Sequence, residues 1–255
     1  MKAPENLIEY IVQSERIVFF TGAGISTGAD IPDYRGPEGT SKTRPEITLQ
    51  DFLHDKDQRE LYWTFKSEDW KQGKDIQATP AHHAITTLNT MGKLTALITQ
   101  NIDGLHRKAE TPEDKLIELH GRMDGVLCVQ CGFEGPAVTC YENWLAEKQL
   151  PICPDCGYFL KPAVIQFGEN LREDVLVRAQ KAMQDPDLVI SIGSTLSVQP
   201  AATFPIMAAR AGIPYIIINQ GETAHDGLPH VAIRLEGDIQ EIFSSAVEDA
   251  GAMFG

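Results

Sequence analysis

The sequence predicts an α/β fold: a parallel sheet with helices on both of its faces. Three observations carry this. Short runs rich in Val, Ile and Phe alternate with segments of helical apolar spacing. The runs are apolar without alternation, as strands covered from both sides are. The chain has 255 residues, 42% hydrophobic and 23% charged, which suits one large domain with its own core.

The elements follow in order. Leu7, Ile8, Ile11 and Val12 stand at helical spacing and place a helix over 4–15. Ile17-Val18-Phe19-Phe20 is β-branched and aromatic, a buried strand. Further strands are expected at 94–99, 163–167, 188–192, 215–219 and 231–235. Helices are expected at 81–91, 171–183, 201–211 and 239–250. Pro200 is placed as the first helical residue of the third, where a missing N–H costs nothing. Two stretches interrupt the alternation. Residues 36–75 carry Trp63, Phe65 and Trp70 but no strand signal, and 122–162 hold all five cysteines. Both read as excursions from one core.

The net charge of −14 repels phosphate backbones and argues against nucleic acid as the main partner. It suits cationic, lysine-rich partners. No window reaches 18 uninterrupted apolar residues, and the N-terminal residues lack a basic segment followed by an apolar one, so the expectation is a cytoplasmic protein without a membrane span.

Five segments carry chemistry. The first strand runs into Gly22-Ala23-Gly24, a turn that lets backbone N–H groups approach a pyrophosphate. The third glycine of the dinucleotide fingerprint is replaced by Thr27, and no P-loop lysine follows. By itself the turn leaves nucleotide binding and an ordinary tight turn equally open. The long loop Asp30-Ile31-Pro32-Asp33-Tyr34-Arg35-Gly36-Pro37 comes next, with Arg35 able to meet a phosphate or a surface carboxylate. Gln100-Asn101-Ile102-Asp103 lies just beyond a strand and offers amides and a carboxylate to a ribose and a carboxamide; an Asx turn at Asp103-Gly104 is the other reading. His120, beside Gly121, is a candidate general base. Gly193-Ser194-Thr195 follows another strand as a phosphate or ribose cradle, with Ser194 or Ser197 as an alternative helix cap; Asn219 repeats the argument.

The strongest signal is Cys128-x2-Cys131-x21-Cys153-x2-Cys156. Two thiolates from each of two turns complete a closed tetrahedral site, which is structural zinc rather than catalytic metal. Cys140 lies between the pairs as a bystander.

Together Gly22 to Ser26, Ile31 to Gly36, Thr99 to Asp103, His120-Gly121, the two cysteine pairs, Phe167-Gly168-Glu169 and Gly193 to Leu196 resemble the sirtuins, NAD-dependent protein deacylases. The resemblance runs from about Ile8 to Phe243. It implies one catalytic domain with a Rossmann-type core over about 1–35, 76–121 and 163–255, a helical module over about 36–75 and a zinc module over about 122–162. It implies an NAD pocket of Gly22, Ala23, Gly24, Thr27, Asp33, Tyr34, Arg35, Gln100, Asn101, Ile102 and Asp103. Gly193, Ser194, Thr195, Asn219 and Ile239 would hold the adenosine half. Val164, Ile165, Phe167, Gly168 and Glu169 would form an edge where an acyl-lysine peptide adds as a strand.

The implied reaction consumes NAD. Asp103 grips the carboxamide, Asn101 orders the ribose, and His120 is the base on a ribose hydroxyl. Products are free lysine, nicotinamide and O-acyl-ADP-ribose. Acetyl is the expected acyl group, because the Tyr-x-x-Arg pair of desuccinylating members is absent: Tyr62 is followed by Phe65 and Lys66. ADP-ribosyl transfer or NAD hydrolysis on the same scaffold is the second reading, and an NAD sensor without turnover the third. A monomer is expected.

Overall fold

A computed structural model describes residues 4–32 and 44–253. Asp33, Tyr34 and Arg35 lie outside them.

Six parallel strands form the main sheet: β1 (Ile17–Thr21), β2 (Leu94–Thr99), β3 (Leu116–Glu118), β7 (Leu188–Ile192), β8 (Tyr215–Asn219) and β9 (Val231–Glu236). Their order is β3-β2-β1-β7-β8-β9. The chain winds outward from β1 in one direction, then returns to β7 and winds outward in the other. The reversal leaves a crevice at the C-terminal ends of β1 and β7, the place where open α/β sheets bind ligands.

The sheet is a two-sided core, as its unbroken apolar runs predict. On one face lie α1 (Glu5–Gln13), α4 (Pro80–Thr90) and α9 (Ile239–Ala252), with Leu7, Ile11, Ile85 and Phe243 buried against Phe19, Leu97 and Ile190. The ring of Phe19 meets Phe243 edge-on with centroids 5.5 Å apart. On the other face α7 (Glu173–Ala182) and α8 (Thr203–Arg210) cover Phe20, Ile98, Val189 and Ile217. The short α5 (Leu105–Lys108) follows β2.

The two excursions pack on each other. α2 (Leu49–His54) and α3 (Lys56–Gly73) join α6 (Val138–Glu147) and a three-stranded antiparallel sheet over one core of Phe52, Tyr62, Trp63, Val126, Tyr141 and Trp144. The small sheet has order β5-β4-β6, from β4 (Gly121–Cys128), β5 (Glu134–Pro136) and β6 (Leu160–Val164).

Two sequence expectations are corrected. The strand expected at 163–167 ends at Val164 and belongs to the small sheet, antiparallel to β4. It stops because the Glu169 carboxylate accepts from the Gln166 amide (3.0 Å) while the Glu169 amide donates to the Gln166 carbonyl (3.0 Å), closing a turn with Gly168 at φ 80°. Pro200 does not open α8. Its carbonyl accepts from the Thr203 amide (3.0 Å) and hydroxyl (2.6 Å), a turn ahead of a helix that starts at Thr203. Neither serine caps that helix; its N-cap is Ala202.

Among the described residues, no helix is long and apolar enough to cross a membrane.

Candidate active site and zinc centre

The crevice between the large sheet and the two excursions is a cavity of 1510 Å³. Its floor is a junction of glycines. A Cβ on Gly22 would stand 2.7 Å from the Gly193 carbonyl oxygen, and one on Gly24 would stand 2.8 Å from the Gly193 Cα. Gly193 itself has φ 65°, and its Cβ would meet the Ile25 nitrogen at 2.3 Å. Only glycines let the ends of β1 and β7 approach this closely. A third close glycine does exist, one residue beyond Thr27: Gly28 lies against the Gln240 side chain. Ala23, Thr27, Ser194 and Thr195 line the same floor.

Past β2, the chain supplies Gln100 to Asp103. The buried Asn101 side chain donates to the Gly22 carbonyl (3.1 Å) and to the Ser26 hydroxyl (3.3 Å). Ser26 in turn donates to one Asp103 carboxylate oxygen at 2.7 Å, and the Leu105 amide donates to the other at 2.9 Å. Asp103 thus closes an Asx turn and lines the cavity as well. Burial pushes the Asp103 carboxyl above its ordinary range, against these two hydrogen bonds. Gln100 donates to the Ser194 hydroxyl (2.8 Å), which also accepts from the Leu196 amide (3.1 Å). Both strand ends are thereby tied into one surface.

His120 sits opposite, where β3 turns into β4 at Gly121 (φ 75°). Its Nδ1 lies 2.9 Å from the Gln100 carbonyl oxygen. A carbonyl only accepts, so Nδ1 carries the proton and Nε2 keeps its lone pair. Burial lowers the imidazole below the ordinary histidine value, opposed by the Gln100 carbonyl. The ring is neutral at pH 7 and able to take a proton.

Val164, Ile165, Phe167, Gly168 and Glu169 form the wall beside His120, with Ile165 donating to the His120 carbonyl at 2.9 Å. Lys161 fixes this wall from below. It is 1% exposed and bridges the Val164 carbonyl (2.6 Å) and Glu169 (3.0 Å). β6 is an edge of its sheet, and among the described residues no strand pairs with its other side. Ile102, Asn219 and Ile239 also line the cavity.

Three residues that sequence reasoning gave no role hold this site together. Ser26 bridges Asn101 and Asp103. Gln240 donates to the Ile25 carbonyl (2.9 Å) and accepts from the Ala81 amide (3.0 Å), clamping the glycine turn between α4 and α9. The Thr79 hydroxyl donates to the same Ile25 carbonyl at 3.1 Å. Ser26 lies inside a quoted motif, but nothing in the sequence marks Gln240 or Thr79, whose partners are 215 and 54 residues away.

The four cysteines Cys128, Cys131, Cys153 and Cys156 converge, all their sulfurs within 4.8 Å of one another. Cys128 and Cys156 are 3.5 Å apart, Cys131 and Cys153 3.6 Å. A disulfide needs about 2.05 Å. A tetrahedron with bonds of about 2.3 Å has edges of about 3.8 Å, so the set fits zinc. The two knuckles repeat one geometry. Gly132 (φ 75°) donates to the Cys128 carbonyl, and Gly157 (φ 74°) to the Cys153 carbonyl.

The sequence and the fold both match known proteins. The model of the Sir2 family matches residues 22–200. The NAD-dependent protein deacetylase of Bordetella pertussis is 34% identical over 92% of this chain and 93% of its own length. The human NAD-dependent protein lipoamidase sirtuin-4, mitochondrial, is 35% identical over 88% of this chain and 80% of its own. A solved Sir2 structure with a deacetylated p53 peptide and 3′-O-acetyl ADP-ribose superposes with TM-score 0.89, at 32% identity, over 98% of this chain and 99% of that one. The chain belongs to the Sir2 family.

Proposed function

We propose that the protein is an NAD-dependent protein-lysine deacylase, which moves the acyl group of a modified lysine onto ADP-ribose and releases nicotinamide. One observation carries this reading: the glycine junction, the Asn101–Ser26–Asp103 network and the free lone pair of His120 converge on a single cleft at the point where the strand order reverses. NAD supplies a ribose carbon activated by its nicotinamide leaving group, and the hydroxyls that receive the acyl group.

The backbone at Gly22, Ala23 and Gly24, with Thr27 and the loop carrying Asp33, Tyr34 and Arg35, holds the pyrophosphate and ribose. Ser194, Thr195, Asn219 and Ile239 take the adenosine half. Asp103 accepts from the carboxamide N–H, its position set by Ser26. Asn101 orders the ribose, its side chain fixed by Gly22. His120 takes the proton from a ribose hydroxyl at Nε2 while the Gln100 carbonyl holds Nδ1–H. The substrate peptide adds along the open edge of β6 beside Val164 to Glu169. A zinc held by Cys128, Cys131, Cys153 and Cys156 would join the two knuckles and supply structure, not chemistry. The chain acts as a cytoplasmic monomer on protein substrates, with its negative charge opposing nucleic acid.

Mass spectrometry of NAD plus an acetyl-lysine peptide tests this. Deacetylated peptide, nicotinamide and O-acetyl-ADP-ribose in equal amounts are expected. The lipoamidase name of the human relative puts longer acyl chains in the same assay. Free ADP-ribose or ADP-ribosylated protein with unchanged peptide would replace the reading by hydrolase or transferase chemistry. Binding of NAD with no turnover on any acyl chain would leave a sensor.

A further inference from the structure

We infer that Arg234 is a positioning residue for the adenosine half of the cofactor, an inference that rests on the cleft taking NAD. Arg234 stands on β9, an edge strand of the main sheet, level with Ile217 of β8. It does not line the cavity. Its guanidinium instead reaches over the end of β8, and both of its terminal nitrogens bind the turn that does. Nη1 donates to the Asn219 carbonyl at 3.1 Å and to its own neighbour, the Leu235 carbonyl; Nη2 donates to the Gly221 carbonyl. Nε donates to Asp226 at 2.8 Å.

The turn so held, Asn219-Gln220-Gly221, forms part of the cleft wall. Asn219 is buried, and its amide nitrogen donates to the Gln220 (3.1 Å) and Gly221 (3.0 Å) carbonyls. The Asn219 amide is thereby committed to the carbonyls of its own turn. The Gly221 carbonyl accepts from both Asn219 and Arg234, so the fork and the amide fix the same peptide. Asp226 completes the frame. Its carboxylate accepts from the Thr223 amide (3.0 Å) and hydroxyl (2.6 Å) as well as from Arg234, and these donors hold it below the ordinary carboxylate range despite burial. His225, on the same loop, is anchored by the Tyr215 hydroxyl at 3.1 Å. One planar fork therefore sets a wall of the cofactor site from outside it, a task for which a lysine has the charge but not the geometry.

The prediction separates geometry from charge and from chemistry. Arg234→Lys and Arg234→Met should both raise KM for NAD, and the Kd for ADP-ribose measured by calorimetry, by ~tenfold, because the wall must then be ordered at the moment of binding. The kcat at saturating NAD and the KM for acyl-lysine peptide should stay within twofold of the parent. Asp226→Asn keeps an acceptor for Nε and should give a smaller rise in the same two constants; it carries the test if the arginine variants do not fold. ADP-ribose affinity unchanged in folded variants, full rescue by lysine, or a fall in kcat with KM for NAD constant would overturn the assignment. The ADP-ribose arm stands apart from catalysis. A parent protein that binds ADP-ribose without deacylating would refute the proposed reaction, while weaker binding by Arg234→Lys would still support the positioning role.

Discussion

The proton affinity of His120 is set by its burial and by a single backbone contact, and the two act in opposite directions. Burial disfavours the imidazolium; the Gln100 carbonyl favours it; burial wins, so the ring titrates below the ordinary histidine value of about 6.5. A base with a lowered value stays unprotonated further into acid. The acid limb of kcat/KM should therefore have its midpoint below pH 6.5. An acid limb centred at or above 6.5 would mean that His120 is solvated in the working enzyme or is not the base. His120→Ala should lower turnover by ~10²–10⁴, the usual worth of general-base catalysis, with zinc content and melting temperature close to the parent. More than a few per cent residual deacylation would remove His120 from that role.

Between elements, buried histidines set the acid tolerance of the scaffold behind the cleft. His82 of α4 and His106 of α5 lie with ring centroids 4.5 Å apart, both almost fully buried. His106 meets the Thr21 hydroxyl at 2.9 Å and His82 the Thr79 hydroxyl at 2.7 Å. Burial first, then the neighbouring His83, takes His82 down to about 3; burial and His82 take His106 well below its ordinary value. Both stay neutral in the fold where the unfolded chain takes up protons. Their contribution to stability is complete above about pH 6.5 and falls as the medium is acidified; for His82 the loss runs down to about pH 3, at about 1.4 kcal/mol per pH unit, and His106 adds to it in the same direction. Urea unfolding should thus show a loss between pH 7 and pH 5. His82→Asn, whose amide can still accept from Thr79, should lose about 2 kcal/mol less over that interval. An equal loss in parent and variant would place the acid sensitivity elsewhere. The same elements show what a sequence carries. Ile17–Thr21 and Leu188–Ile192 were legible because central parallel strands are apolar on both faces. Gly121–Cys128 was not: Arg122 and Asp124 break the apolar pattern, and the strand exists because β5 and β6 pair with it. Zinc ligation was legible because its spacing is local. The clamps by Gln240 and Arg234 join segments far apart in the chain and have no local signature.

Across the whole molecule, the zinc site and the cleft share one core. Cys128 and Cys153 are buried in the same cluster as Trp63, Tyr141 and Trp144, and Trp70 stacks on Tyr141 at 5.3 Å. From that cluster two contacts lead to the site. The Tyr141 hydroxyl donates to the Met123 carbonyl (2.9 Å), and the Met123 amide donates to the Ile102 carbonyl (3.2 Å) beside Asp103. On the other side, Leu49 of α2 donates to the Phe167 carbonyl of the peptide wall at 3.1 Å. A zinc held by Cys128, Cys131, Cys153 and Cys156 would thus act at a distance, by keeping α3, α6 and the small sheet packed so that the peptide wall has a fixed back. All three tryptophans of the chain, Trp63, Trp70 and Trp144, report on this region. Removing zinc with a strong chelator should red-shift tryptophan emission and abolish peptide deacylation together. ADP-ribose binding should persist, because its floor belongs to the large sheet and the glycine junction, which bury a separate core. Cys156→Ser, which removes one ligand, should follow the chelated protein. A zinc-free protein with an unshifted spectrum and full activity would show that the shared core holds without its metal, and the knuckles would then need another purpose.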